Sequence, residues 1–205
     1  MDVEQAPTRA AVLALQAERG VVEEAYDFLD EKRLLLAAEL LRQLDHYEAL
    51  SHELGEKTGV ARAVLLAAVK RHGLQGLSVY PPASLASLHI EATPRNLMGV
   101  TLLETVAVMP GDAANTAPPA VYPTAEAGAC RALFRELFEL SAQLAGVSGN
   151  LHRLLAAYRA TERRARALEN VILPEIEAQL NWMTTSLEEV DLEDAIRAWS
   201  VQRSL

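Results

Sequence analysis

Five histidines and one cysteine are the side chains of this sequence best suited to metal binding or nucleophilic chemistry. The histidines are His46, His52, His72, His89 and His152, and the cysteine is Cys130. No histidine pair has the three- or four-residue spacing of ligands on one helix, and none follows a glutamate by three residues as in di-iron helical bundles. A single cysteine forms neither a thiolate zinc site nor an internal disulfide. We therefore expect His46 and His52 on a solvated helix surface and Cys130 as a small apolar residue.

Motifs for nucleotide chemistry are also absent. The sequence has neither the glycine-rich phosphate-binding loop nor the dinucleotide glycine fingerprint. The adjacent Glu188 and Glu189 could imitate a general acid and base, but a solvated helix face is the simpler interpretation because no cleft is evident to shift their pKa values. A net charge of −9 disfavours binding to a nucleic-acid backbone. These observations predict a chain without enzyme activity, cofactor or metal.

Glycine and proline divide the sequence into three segments. Residues 73–129 contain five of the ten glycines and seven of the nine prolines. Since proline interrupts long helices, we expect an N-terminal long helix at 1–72, a turn-rich segment at 73–125 and a C-terminal long helix at 126–205. Acidic residues near the start disfavour a signal peptide, and no apolar run is long enough to span a membrane. A cytoplasmic location is therefore expected.

Each predicted helix carries an apolar seam in alternating steps of three and four residues. The N-terminal seam is Val12, Leu15, Arg19, Val22, Tyr26, Leu29, Arg33, Leu36, Leu40, Gln43, Tyr47, Leu50 and Leu54. The C-terminal seam is Leu133, Leu137, Leu140, Leu144, Val147, Leu151, Leu154, Tyr158, Thr161, Ala165, Leu168 and Ile172, and it continues after a one-residue slip near Pro174 as Ile176, Leu180, Met183, Leu187 and Val190. This spacing predicts a left-handed coiled coil. We expect Gly55 and Gly59 to disturb the first helix.

The matched seams predict an all-α fold in which two long helices of one chain pair antiparallel. The alternative is a parallel homodimer in which each helix pairs with its own copy. Arg19, Arg33 and Gln43 interrupt the first seam, at positions where buried polar residues commonly set register. Either the arginine charges reach water along apolar stems, or the two arginines face a second protein.

The middle segment predicts a small β-hairpin. Alternating stretches at 88–92 and 100–103 flank residues 93–96, which have the composition of a turn. Residues 110–125 are expected to form a mobile loop.

Four stretches together resemble a known family. They are Pro7-Thr8-Arg9, Leu29-Asp30-Glu31-Lys32-Arg33, Arg95-Asn96-Leu97-Met98-Gly99-Val100, and the run from Arg163 to Pro174. In order and spacing they are similar to segments of the D subunit of the V-type and archaeal A-type rotary ATPases. The stretch from Glu193 to Gln202 is much less basic than the family's usual end, so the sequence looks like a divergent bacterial member.

The resemblance implies a rotor shaft that transmits torque between a catalytic head and a membrane ion-translocating ring. The implied partners are the catalytic and regulatory head subunits, which bind ATP and Mg²⁺, the small F subunit of the stalk, and the cup-like subunit that couples to the ring. It also implies a peripheral position on the cytoplasmic face of the inner membrane, without membrane insertion. The residues implied in partner contacts are Arg33, Arg95, Asn96, Leu97, Met98, Gly99, Arg163, Arg164 and Arg166. A coiled-coil adapter of a flagellar or type III export system, and a homodimeric spacer, are the alternatives.

Overall fold

The computed structural model describes residues 7–78, 89–108 and 124–203. Its elements, in chain order, are helix α1 (Arg9–Ser78), strands β1 (His89–Leu97) and β2 (Val100–Val108), helix α2 (Ala125–Ala167), a π-helical turn (Leu168–Ile172) and helix α3 (Leu173–Arg203). The predicted all-α fold with a β-hairpin in its middle is confirmed. The chain forms two units, the first from Met1–Leu35 with Tyr158–Leu205 and the second from Leu36–Ala157. The predicted division at residues 72 and 125 stays a prediction.

Helix α1 begins at a side-chain cap and runs through both internal glycines. The hydroxyl of Thr8 accepts a hydrogen bond from the backbone N–H of Ala11 at 3.1 Å, which is the interaction expected of an N-cap. The expected disturbance at Gly55 and Gly59 is wrong, because the first non-helical residue of α1 is Gly73 (φ 69°, ψ 168°). Each glycine weakens a helix by only about 1 kcal/mol, and tertiary packing outweighs that loss.

In the first unit, the start of α1 lies against α3 in the opposite direction. Arg9 pairs with Asp191 at 3.0 Å, and Arg19, further along α1, pairs with Glu177, which is earlier in α3. The buried seam positions of this unit are Leu15, Thr161, Ala165, Ile176 and Met183. The guanidinium of Arg19 also contacts Glu23 and stays at the surface, so this seam position is occupied by a stem whose charge reaches water.

In the second unit, the remainder of α1 lies antiparallel to α2. Lys57 pairs with Glu136 at 3.1 Å, and Arg71, further along α1, pairs with Glu126, which is earlier in α2. The two seams form one apolar cluster of Leu50, Leu140 and Val147 with Tyr47, Leu54, Leu144 and Leu151 packed around it. The prediction of antiparallel pairing within one chain is therefore confirmed in each unit.

The one-residue slip near Pro174 corresponds to the π-helical turn. The N–H of Leu173 donates to the carbonyl of Leu168, five residues back. Pro174 has no N–H, and its ring would crowd the carbonyl four residues before it in a regular α-helix. The wider turn absorbs one extra residue, so Ala165 before it and Ile176 after it are both buried.

The β-hairpin is present, but its turn lies elsewhere than predicted. Residues 93–96 belong to β1, and the turn is Met98-Gly99 between the paired Leu97 and Val100. Both turn residues have positive φ, 49° for Met98 and 83° for Gly99. The turn was predicted at 93–96 because proline is common in turns. Proline is nevertheless tolerated within a strand at a position whose backbone nitrogen points away from the paired strand. The expected loop at 110–125 lies outside the described residues, except for Thr124 and Ala125 at the start of α2.

Burial along α1 gives a direct test of the seam. Leu36 is 0% exposed and Leu41 is 60% exposed on the same helix. We expect Leu36→Ala to lower the free energy of unfolding by about 2–5 kcal/mol, because it removes buried methyl groups and leaves a cavity. Leu41→Ala is the matched control and should change it by less than about 1 kcal/mol. Urea unfolding of both variants measures the difference, and equal losses would contradict the assigned seam.

Candidate functional site

Most of the residues first considered for chemistry are exposed on helix surfaces. His46, His52, Glu188 and Glu189 are exposed, as predicted, and Cys130 is half-buried near the start of α2. Within residues 7–78, 89–108 and 124–203, no group of three or more histidine, cysteine or acidic side chains could hold a metal ion. No helix in these ranges is long and apolar enough to cross a membrane. The remaining candidate is the β-hairpin and the helical surface that holds it.

The turn of the hairpin brings four of the predicted contact residues together. Positive φ at both Met98 and Gly99 is the geometry of a type I′ turn, which suits the twist of a two-stranded hairpin. The side-chain oxygen of Asn96 accepts a hydrogen bond from the N–H of Gly99 at 3.1 Å. Leu97 and Met98 are half-buried, while Asn96 and Gly99 are exposed. The turn is thus fixed by its own backbone and by one side chain.

Strand β2 is attached to α2 by the amide of Asn150. This side chain is 3% exposed; it accepts from the N–H of Leu103 and donates to the carbonyl of Leu103, both at 2.8 Å. Hydrogen-bonded and non-hydrogen-bonded pairs alternate in an antiparallel ladder, and Leu103, opposite Pro94, turns both backbone groups away from β1. Asn150 therefore satisfies this edge of the sheet as a third strand would.

Two further contacts hold β2 close to α2. The hydroxyl of Thr105 donates to the backbone carbonyl of Ala142 at 2.7 Å. Gly146, one helical turn later, lies directly under Thr105, and a methyl group at this position would overlap the threonine side chain. Gly146 is therefore required for the close approach of strand and helix. Arg153 adds a hydrogen bond from Nη1 to Asn150 Oδ1 at 3.1 Å, which fixes the amide orientation.

Strand β1 is attached to α1 through the buried carboxylate of Glu39. Arg42 donates two hydrogen bonds to it, from Nε at 2.8 Å and from Nη2 at 2.6 Å, and Gln43 donates one at 3.0 Å. Arg95, on β1, places Nη2 at 3.7 Å from the same carboxylate. The Arg42 hydrogen bonds are the main cause that holds the pKa of Glu39 below its usual value, against the opposing effect of burial. The pKa of Arg42 is raised in return, chiefly by Glu39, with a further contribution from Glu104 on β2.

The predicted arginine contacts outside the hairpin belong to the first unit. Arg33 is half-buried and pairs with Asp30 at 2.5 Å within α1. Arg166 pairs with Glu162 at 2.6 Å within α2, and Arg163 and Arg164 are exposed in the last turns of that helix. The structure therefore places these four on helix surfaces in one unit and the residues from Arg95 to Gly99 on the hairpin in the other. Their role in partner contacts stays a prediction.

The sequence interpretation missed four residues that hold the hairpin, namely Glu39, Thr105, Gly146 and Asn150. For the three helix residues, Glu39, Gly146 and Asn150, the one available signal was a polar or small residue directly before a seam position. Thr105 on β2 carried no such signal.

Asn150 provides a test of how β2 is held. Asn150→Leu leaves the N–H and carbonyl of Leu103 without partners, and we expect a loss of roughly 2–4 kcal/mol in the free energy of unfolding. Asn150→Asp can still accept from the N–H but repels the carbonyl, so it should also destabilise. Asn181→Leu, at an exposed position of α3, is the control and should have little effect. Urea unfolding that shows no difference between Asn150→Leu and the control would contradict this role.

Acid should weaken the attachment of β1. Because the folded-state pKa of Glu39 is lowered, its ionised form contributes stability above the pKa of an unfolded glutamate, about 4.3, and this contribution is lost as the pH falls through the folded-state value. We expect the stability difference between the wild type and Glu39→Gln to shrink as the pH falls from 6 towards about 3. Urea midpoints across this range measure it; a constant difference would mean that the charge of Glu39 is unimportant.

Comparison with known proteins identifies a family that matches nearly the whole chain. The sequence profile of the ATP synthase D subunit matches residues 11–203. The chain is 30% identical over 198 residues to the A-type ATP synthase D subunit of Thermococcus gammatolerans, covering 93% of this chain and 90% of that protein. It is 26% identical over 193 residues to the V-type ATP synthase D subunit of Thermotoga neapolitana, covering 94% of each. The A-type protein of Thermococcus sibiricus is 29% identical over 206 residues, with 97% and 94% covered. The chain therefore belongs to the family of ATP synthase D subunits.

Proposed function

We propose that this chain is the central-stalk rotor shaft of a V/A-type ATPase and transmits torque between the catalytic head and the membrane ion-translocating ring. The observation that carries the proposal is the family match, which extends over residues 11–203 rather than over one motif. Generic coiled coils have no need of the hairpin motif at Arg95–Val100 or of the run that ends at Pro174. The match therefore favours the rotor shaft over an export adapter or a homodimeric spacer.

The described structure suits a load-bearing element. Within each unit, two helices of the same chain pair antiparallel along a buried seam, and charged pairs such as Arg19–Glu177 and Lys57–Glu136 join them at the surface. A pair of packed helices resists bending and unwinding better than one helix, because each covers the apolar side of the other. Torque applied at one end of such a pair is carried by both backbones.

In the proposed complex, other subunits carry out the chemistry. The chain is a non-catalytic component without a cofactor, and the head subunits bind ATP and Mg²⁺. Its partners are the catalytic and regulatory head subunits, the small F subunit of the stalk and the cup-like subunit below the shaft. The hairpin residues Arg95–Gly99, together with Arg33, Arg163, Arg164 and Arg166, are the proposed contacts. The complex would hold the chain at the cytoplasmic face of the inner membrane.

Affinity purification from native membranes tests this proposal. A tag on the full chain should recover two large nucleotide-binding subunits and a membrane ring, identified by mass spectrometry. Recovery of the chain alone, or with an export ATPase, would overturn it.

The matched control is the same tagged chain with Leu151→Asp. Leu151 packs against the cluster of Leu50, Leu140 and Val147, so a charge there should separate the helices of the second unit. Thermal melting should show strong destabilisation, and the partners should be lost. Equal recovery with this variant would mean that capture does not depend on the folded shaft.

A further inference from the structure

The helix pair is unusually polar where the hairpin is attached. Among the described residues, the buried polar side chains are Glu39, Gln43, Asn150 and Thr161, and the first three lie in the second unit where β1 and β2 contact α1 and α2. The Gln43 side-chain oxygen is buried and has no hydrogen-bond partner in the described structure. Buried polar groups stabilise helix packing less than apolar ones, and an unpaired acceptor weakens it further. The seam is therefore interrupted by polar groups at the level of the hairpin.

At the same level, the hairpin contacts both helices. Thr105 and Leu103 of β2 are hydrogen-bonded to Ala142 and Asn150 of α2. Arg95 of β1 forms an ion pair with Glu39 of α1. Because β1 and β2 are paired along their full length, a displacement of either helix is transmitted through the sheet to the other attachment. The hairpin thus bridges the two helices outside their own seam.

We propose that the β-hairpin is a clamp that holds α1 and α2 in register where their seam is polar. Its two attachments act in series: one is the amide and hydroxyl contact with α2, and the other is the ion pair with α1. The clamp itself is a property of the isolated chain. Its value for torque transmission rests on the proposed function, because sliding of one helix past the other would dissipate the applied torque.

The two attachments differ in strength. The Asn150 amide is buried and makes two hydrogen bonds of 2.8 Å, whereas Arg95 is about half exposed and lies 3.7 Å from Glu39. Partly exposed ion pairs are weakened by solvent and by salt. The ionic attachment is therefore the point at which the clamp should release first, and raised salt should loosen it before it affects the amide attachment.

Amide hydrogen exchange of the full chain tests the clamp. Arg95→Gln removes the ion pair to α1 but leaves Glu39 bonded to Arg42. Thr105→Val removes the hydroxyl contact with α2 with little change of shape, and it weakens this attachment without breaking the Asn150 hydrogen bonds. We expect Arg95→Gln to speed exchange by about two- to fivefold in both helices, over residues 36–50 and 140–157, as befits the loss of a half-exposed ion pair. Because the attachments act in series, Thr105→Val should add little once Arg95→Gln has released the hairpin from α1, so the double variant should resemble Arg95→Gln. Arg166→Gln removes an ion pair within α2 alone and is the control.

The outcomes separate the clamp from a local stabilising role. If Arg95→Gln speeds exchange in the hairpin but leaves α1 and α2 like the wild type, the clamp is wrong. Additive effects in the double variant would also overturn it, since independent contacts add. Thermal unfolding of each variant confirms that it folds, and Arg95→Gln remains informative should Thr105→Val fold poorly.

A measurement in the assembled complex separates failure of the clamp from failure of the proposed function. Glu39→Gln breaks the same ion pair from the α1 side, at a residue that is not a proposed partner contact. This variant should enter the complex like the wild type but move fewer ions per ATP hydrolysed against an opposing gradient. Unchanged coupling, together with faster exchange in the isolated helices, would show that the clamp has no part in torque transmission. Failure of the wild-type chain itself to assemble would count against the proposed function, and the exchange experiment would still decide whether the clamp exists.

Discussion

An apolar stripe along a helix must be covered, because exposed aliphatic surface of this extent is unfavourable in water. This requirement determines most of the structure. In each unit the stripe on α1 is covered by a stripe from later in the same chain, running in the opposite direction. The one-residue slip near Pro174 would displace the later stripe around its helix, and the π-helical turn absorbs the extra residue, so that Ala165 and Ile176 are both buried.

The β-hairpin attaches where polar residues interrupt the apolar contact between the helices. Glu39 and Gln43 on α1 and Asn150 on α2 are buried polar groups that need partners. Asn150 obtains two hydrogen bonds from one residue of β2, and Glu39 is compensated by Arg42, Gln43 and Arg95. Gly146 makes this possible because it lets the strand approach the helix backbone. The same residues that weaken the seam therefore select the site at which a sheet can attach.

The sequence predicted features that depend on local repetition and missed those that depend on a distant partner. Most seam positions were predictable because spacing along one helix fixes which side chains share a face, although the predicted positions Ile172 and Val190 are exposed. Gly55 and Gly59 were misjudged, since intrinsic propensity is weaker than packing. The turn was placed at 93–96 because Pro94 is a turn residue, whereas the positive φ at Met98 and Gly99 defines it. Asn150 could not have been assigned, because its partner Leu103 is distant in sequence and its role depends on how the strand approaches α2.

The two units keep their paired helices in register in different ways. In the first, the buried positions are mostly apolar, and surface pairs such as Arg9–Asp191 and Arg19–Glu177 add little, since exposed ion pairs contribute only about 0–1 kcal/mol each. Register there depends on side-chain packing, because sliding one helix along the other would remove large side chains such as Met183 from their positions. In the second unit the buried polar residues weaken the side-chain packing that keeps the helices in register. Directional hydrogen bonds from the helices to the β-hairpin replace that packing. A helix pair with a polar stretch and no bridging sheet would have no comparable resistance to sliding at this level.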